Sequence, residues 1–270
     1  MSKLSQLNES YILNQYVGGD SPQKVCEDNK ISYKILTRIL TQNNVQKRAK
    51  IVVNEHNRRV QWNINFFEHP SPKLAYWAGF IFADGCLKKC ENNKWTNYKL
   101  NISLNEKDRE HLEVFCNDIG LSKDKITNIP ARRGAAQVQV NIGHKRLLDF
   151  MTMWGVVPKK TYNFVKPDIP NHLLPHFIRG WIDGDGNIAI RGCGKSNTIR
   201  ITGNKDALIW LKTQLEILGF SGKIYFSEWK ENQIWGKLVI INNKNLKEIK
   251  KLLLCDDHYC LKRKWHQIDW

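Results

Sequence analysis

Two stretches decide the fold, WAGFIFADGCL at residues 77–87 and IRGWIDGDGNI at residues 178–188. Gly79 of the first corresponds to Gly180 of the second, and Asp84 corresponds to Asp185 at the same offset. Each is an apolar run that stops abruptly at Asp-Gly. A carboxylate is poorly placed at the C-terminal end of a helix, where exposed carbonyls and the negative end of the macrodipole favour cations. Something must compensate it. The correspondence continues downstream: NEKDREHLEVFCNDIGL (105–121) answers NKDALIWLKTQLEILGF (204–220), and AQVQVNI (136–142) answers GKLVIIN (236–242). Each half therefore reads helix, two strands, helix, two strands, helix. The alternation predicts strands over 86–90, 98–104, 125–129 and 136–142, then 187–191, 198–203, 222–228 and 234–241. The fold class is α+β, a duplicated αββαββα unit whose halves are joined through the Pro-bearing stretch VPKKTYNFVKPDIPN (157–171).

The helices predicted over 73–84 and 174–185 carry small residues four apart, Gly79 with Ala83 and Gly180 with Gly184. Residues at that spacing share a face, and small ones let two backbones approach closely. Packed along those stripes, the helices bring Asp84 and Asp185 side by side, with Gly85 and Gly186 expected to supply the turn out of each helix. Two adjacent carboxylates beside helix carbonyls repel, and divalent cations offset this. Mg²⁺ prefers hard oxygen ligands and keeps water or phosphate in its remaining positions.

WAGFIFADG and IRGWIDGDG resemble the two motifs of a single-chain LAGLIDADG homing endonuclease, and the resemblance covers residues 60–270. It implies a pseudo-twofold pair of antiparallel sheets, metal binding by Asp84 and Asp185, and help from the carbonyls of Ala83 and Gly184. Phe82 replaces the first acidic residue of the motif, which Asp183 retains. The implied activity is metal-dependent hydrolysis of both strands of a long duplex DNA site across its minor groove, leaving 3′ overhangs. Mg²⁺ is the implied cofactor, with Mn²⁺ able to substitute and Ca²⁺ expected to bind without supporting cleavage. The family also uses a basic or polar residue near the end of the fourth strand to organise water, which points to Lys145 and Lys244, although Gly143 and Asn242 compete for the aligned places. The expected base readers and phosphate contacts are Lys88, Lys99, Arg132 and Arg133 in the first half, and Arg191, Arg200, Lys223 and Lys237 in the second. The same fold also carries non-cleaving transcription regulators and RNA-splicing maturases. A regulator has no reason to keep both metal-binding Asp, so the nuclease reading is favoured. No protein-splicing segment is read beside the duplicated unit, so an intein is not expected.

The bulk properties agree. The chain has 270 residues, 42 Lys and Arg against 26 Asp and Glu, and a net charge of +16 spread along its length. Such an excess favours a polyanionic partner, because each phosphate contact releases condensed counterions. Double-stranded DNA is the expected partner and a membrane is not, since no apolar run approaches a membrane span. Met1-Ser2-Lys3-Leu4 leads into polar residues rather than a signal peptide, so a cytoplasmic location is expected. With both motifs in one chain, a monomer without a required protein partner is expected. The seven Cys are irregularly spaced. A zinc site from Cys255, His258, Cys260 and His266 lacks a paired C-x-x-C, and ordinary reduced thiols are the preferred reading.

Ahead of the repeat, residues 1–45 read as three short helices. Ser21-Pro22 starts the second, and Ser32 starts the third after the NKIS turn. Ile35, Leu36, Ile39 and Leu40 form one face of the third helix. Tyr33, Lys34, Thr37 and Arg38 look outward, which resembles a resolvase-type helix-turn-helix with its third helix in the major groove. The expected organisation is a DNA-binding domain over 1–45 and a basic linker over 46–71. The first LAGLIDADG half follows over 72–160, then an inter-half linker over 161–172 and the second half over 173–270.

Overall fold

The computed structural model describes residues 9–46, 62–92, 95–131, 135–191, 196–228, 234–254 and 259–268. The chain divides into two compact units, Met1–Gln61 and Trp62–Trp270.

The first unit contains α1 (Glu9–Val17), α2 (Pro22–Asp28) and α3 (Tyr33–Gln42). The hydroxyls expected to start α2 and α3 do so. The Ser21 side chain accepts from the Lys24 amide at 3.0 Å, and the Ser32 side chain accepts from the Ile35 amide at 3.4 Å. Ile12, Tyr16, Val25, Leu36, Ile39 and Leu40 form its core, with Ile35 packed at the edge. That leaves Tyr33, Lys34 and Arg38 exposed and Thr37 half-buried on α3.

The second unit begins at Trp62, whose ring meets Phe67 edge-on at 5.8 Å and His144 at 6.1 Å. The first half holds α4 (Pro72–Asp84), β1 (Gly85–Asn92), β2 (Trp95–Asn105), α5 (Arg109–Asp118), β3 (Thr127–Ile129), β4 (Gln137–His144) and α6 (Leu147–Thr152). The second repeats it with α7 (Leu174–Asp185), β5 (Gly186–Ala189), β6 (Thr198–Asn204), α8 (Lys205–Ile217), β7 (Ile224–Ser227), β8 (Trp235–Ile241) and α9 (Asn243–Leu253), then adds α10 (Lys262–Trp265). The two four-stranded antiparallel sheets have the same order, β1-β2-β4-β3 and β5-β6-β8-β7. The third strand starts later than expected because Lys123–Lys125 form a 3₁₀ turn.

Alternation sets the layers. Along β4 Val138, Val140, Ile142 and His144 are buried, while Gln137, Gln139 and Asn141 lie on the outer face. The buried face meets Leu112 and Phe115 of α5 and Leu147 and Met151 of α6 in one core, and the second half repeats this with Ile199, Ile201, Leu238 and Ile240 beneath α8 and α9.

The two motif helices pack against each other through backbone. A Cβ on Gly79 would lie 1.9 Å from the Phe177 carbonyl oxygen, and one on Gly180 would lie 2.0 Å from that of Tyr76. The small-residue stripe is thus a requirement of the contact. The expected glycine turn out of each helix is corrected by the structure. Gly85 has φ −75° and Gly186 has φ −77°, both extended, so each helix runs straight into its first strand. Glycine is needed there for room, because a Cβ would come within 2.7 Å of the Ile81 carbonyl oxygen at Gly85 and 2.3 Å of the Ile182 carbonyl oxygen at Gly186. Among the described residues no helix is long and apolar enough to cross a membrane.

Candidate active site at the paired helix ends

The close approach persists to the ends of α4 and α7. A Cβ on Gly184 would fall 2.3 Å from the Ala83 Cβ and 3.5 Å from the Asp84 carboxyl carbon. Asp84 and Asp185 are therefore neighbours, both last in their helices and both reached by solvent. Protein crowds their other sides. Burial pushes the Asp185 carboxyl up to about 6, and the charge of Asp84 adds to that rise. Asp84 is also raised, chiefly by burial.

Two lysines oppose it. Lys160 and Lys264 both pull the carboxyl pKa values of the pair back down electrostatically. Lys160 donates to the Gly85 carbonyl. Lys264 donates to the carbonyls of Gly186 at 2.7 Å, Gly184 at 3.1 Å and Ile182 at 3.2 Å, and to that of Asp183. Gly85 and Gly186 are equivalent in the repeat, so each lysine makes the same contact in its own half. Burial lowers the pKa of both ammonium groups. Lys145 and Lys244, expected from the sequence, are exposed, Lys145 just beyond β4 and Lys244 in the first turn of α9. Neither is among the groups that act on the acidic pair. Lys160 and Lys264 escaped the reading because Lys160 sits in a turn after α6 and Lys264 in the short α10, well away from the strand ends where such a residue was sought. The available signal was the repetition of a Lys-rich run there, PKK at 158–160 and LKRKW at 261–265.

The outer sheet faces carry the other candidates. Lys88 and Lys99 are exposed and stand directly opposite one another in register. Arg200 is half-buried between Asn187 and Val239, and Lys237 is half-buried and ion-paired with Glu228. Arg191 and Lys223 are exposed beyond the ends of β5 and β7 respectively, whereas Arg132 and Arg133 lie outside the described residues. A group the sequence reading passed over is an amide cluster across β2 and β4. Asn101 Nδ2 donates to Gln139 Oε1 at 3.1 Å and to Asn141 Oδ1 at 3.0 Å. Its signal was the QVQVN alternation at 137–141, read only as strand.

Among the described residues no three His, Cys, Asp or Glu gather into a metal cluster. Cys255 and His258 of the imagined zinc site lie outside those residues. The Asp84–Asp185 pair offers two carboxylates together with the Ala83 and Gly184 backbone at the helix ends. This all-oxygen donor set suits a hard divalent cation whose coordination is completed by water and phosphate.

Comparison with known proteins finds one matching family model and several similar chains. A family model described as a LAGLIDADG-like domain matches residues 174–253. A probable translation initiation factor IF-2 of Methanocaldococcus jannaschii is 26% identical over 191 residues, which is 66% of this chain and only 15% of that protein. Among solved structures, the I-SmaMI LAGLIDADG homing endonuclease bound to cleaved DNA is 14% identical with a TM-score of 0.49, covering 75% of this chain and 88% of that one. I-GzeII in complex with its DNA target is 12% identical with a TM-score of 0.49, covering 74% and 88%. Mesophilic variants of the homing endonuclease I-DmoI are 17% identical with a TM-score of 0.47, covering 71% and 98%. Likeness at this level assigns no activity. The matched stretch, residues 174–253, runs from the start of α7 to the end of α9 in the second half.

Proposed function

We propose that the chain is a site-specific, metal-dependent DNA endonuclease of the homing type, hydrolysing both strands of duplex DNA across the minor groove to leave 3′ overhangs. The observation that carries this is the pair Asp84 and Asp185, crowded together at the ends of two helices and flanked by Lys160 and Lys264. A fold does not gather two carboxylates at the wrong end of a helix dipole for stability. The arrangement suits cation binding, and the raised Asp185 is the cost of holding it ready.

A bound Mg²⁺ would supply Lewis-acid stabilisation of the attacking and leaving oxygens at phosphorus. The chain's own residues do the rest. Asp84 and Asp185 hold the cation with the carbonyls of Ala83 and Gly184. Lys160 and Lys264 offer ammonium groups beside the reacting phosphates and orient water, the role that the sequence pointed to Lys145 and Lys244 for. The outer sheet faces read the major groove on either side. Lys88 facing Lys99 supports this, because like charges directly across a ladder destabilise a sheet unless an anion lies over them. Outward-facing Tyr33, Lys34, Thr37 and Arg38 on α3 extend the contact to a neighbouring stretch of duplex, with Arg191, Arg200, Lys223 and Lys237 serving the second sheet.

The test is selection from a randomised duplex library, with binding scored in Ca²⁺ and cutting scored after transfer to Mg²⁺. Recovery of one sequence that is then cut on both strands with 3′ overhangs is the expected result. Binding with no cutting in Mg²⁺ or Mn²⁺ would instead establish a non-cleaving member.

A further inference from the structure

Asp183 is fully buried two residues before the end of α7. Its two carboxylate oxygens accept three hydrogen bonds. Tyr76, on the opposite motif helix, donates its hydroxyl to Oδ2 at 2.8 Å. The Leu261 amide donates to the same oxygen at 2.7 Å, and Trp265 Nε1 donates to Oδ1 at 2.6 Å. Leu261 and Trp265 bracket α10, the short C-terminal helix that carries Lys264. An uncompensated buried carboxylate would cost several kcal/mol. This one is satisfied only when the strap is docked, which makes the docked position specific.

The first half solves the same problem differently. Phe82 stands where Asp183 stands in the repeat, and its ring packs on Trp181 at 4.7 Å and Phe177 at 5.6 Å. The stretch that leads to Lys160 passes directly beneath that ring. Gly155 sits there at φ +72°, and a Cβ on it would lie 3.1 Å from the Phe82 ring and 2.6 Å from the Val165 carbonyl oxygen. The Asp168 amide donates to the Met153 carbonyl at 2.8 Å and closes the loop. One lysine is delivered by apolar packing and the other by a buried carboxylate.

We propose that Asp183 is the positioning residue of the second half, hanging the C-terminal strap beneath α7 and thereby holding Lys264 at the carbonyl end beside Asp185. Phe82 cannot do this for the first half, so the two lysines are held by different means. The inference deepens the nuclease reading and rests on it for the strand-specific outcome alone. Lys264 must leave its carbonyl cage when the clamp is cut, while Lys160 keeps its place.

The experiment is amine acylation of the full-length protein without DNA, with modification at each lysine read by peptide mass spectrometry. In the wild type, Lys264 should be protected and exposed Lys223 should react. Asp183→Asn and the milder Trp265→Phe, which keeps the ring and removes one donor, should each raise Lys264 labelling severalfold with Lys160 unchanged. On a duplex that the wild type cuts, both variants should slow one strand much more than the other, so that nicked product accumulates. Trp265→Phe keeps the test open if Asp183→Asn fails to fold. Lys264 protection equal to wild type in a folded variant, or an equal rise at Lys160, would overturn the clamp. Equal slowing of both strands would overturn it as well. Failure of the wild type to cut any duplex defeats the nuclease reading instead, and the labelling then decides the clamp by itself.

Discussion

At the residue scale, Asp84 and Asp185 carry opposite consequences for stability and activity. Asp185 is raised to about 6 from an ordinary 3.8, so the folded state binds its proton more readily than the unfolded chain. The folded protein therefore loses stability as pH rises from about 4 to about 6, and the deficit persists above that range. The full shift would correspond to about 3 kcal/mol. Solvent reaches one side of the carboxylate and screens it to about 1 kcal/mol. Asp185→Asn in EDTA should accordingly raise the melting temperature at pH 7.5 by about 2–4 °C, and the gain should vanish by pH 4. A melting temperature unchanged at both pH values would show that neither burial nor Asp84 destabilises the Asp185 carboxylate in the fold. The same substitution, like Asp84→Asn, should reduce cleavage at least about a thousandfold through loss of the cation. DNA affinity measured in parallel should hold or rise, because a negative charge facing phosphate has been removed. Full cutting by either variant would remove that residue from the active site.

At the element scale, the pairing of α4 with α7 fixes where everything else falls. Gly180→Ala would place a methyl group 2.0 Å from the Tyr76 carbonyl oxygen, and backbone cannot rotate aside as a side chain does. The two helices would have to separate, at a cost of about 3 kcal/mol or more, measurable by urea unfolding. A loss below about 1 kcal/mol would mean that the helices are free to slide. This contact was legible in the sequence because small residues at helical spacing have few other uses, and because the motif occurs twice. The strand ladder was equally legible in β4, where apolar and polar residues alternate without a break. The lysines of the site were not. Lys160 reaches the acidic pair from a turn and Lys264 from a four-residue helix, and the path of each depends on tertiary contacts, at Gly155 and at Asp183, that no local periodicity encodes. The extended backbone of Gly85 and Gly186 was missed for a related reason. A glycine after a helix suggests a left-handed turn, but here crowding by the preceding carbonyl requires it. The α1–α3 unit has a core of its own in Ile12, Val25, Leu36 and Ile39. Removing residues 1–45 should therefore leave the duplicated unit folded and cutting, while shortening the DNase footprint on the selected duplex. An unchanged footprint would show that α3 does not touch DNA.

At the scale of the whole molecule, duplication within one chain makes a pseudo-dimer whose halves have diverged. Phe82 occupies in the first half the position that Asp183 occupies in the second, a core aromatic in place of a buried acid. The outer face of β2 and β4 presents Lys99, Asn101, Gln139 and Asn141, whereas that of β6 and β8 presents Arg200, Thr202 and Lys237. A twofold dimer of identical subunits reads a palindrome, because each half-site meets the same side chains. Two unlike faces cannot. The selected duplex should thus be asymmetric about its cleavage centre, and one copy of the chain should occupy it. Amide side chains pair with adenine N6 and N7, while Arg and Lys favour guanine O6 and N7. The half-site under the first sheet should therefore carry A·T pairs where Asn101, Gln139 and Asn141 fall, and that under the second a G·C pair at Arg200. Gln139→Ala should relax preference at a position of the first half-site by about tenfold and leave the second unchanged. With a net charge of +16, affinity for any duplex should fall steeply with salt, so both half-sites must be compared at one ionic strength. Light scattering of the complex decides the stoichiometry: two protein copies on one duplex, or a palindromic selected sequence, would mean that the internal repeat does not act as a pair.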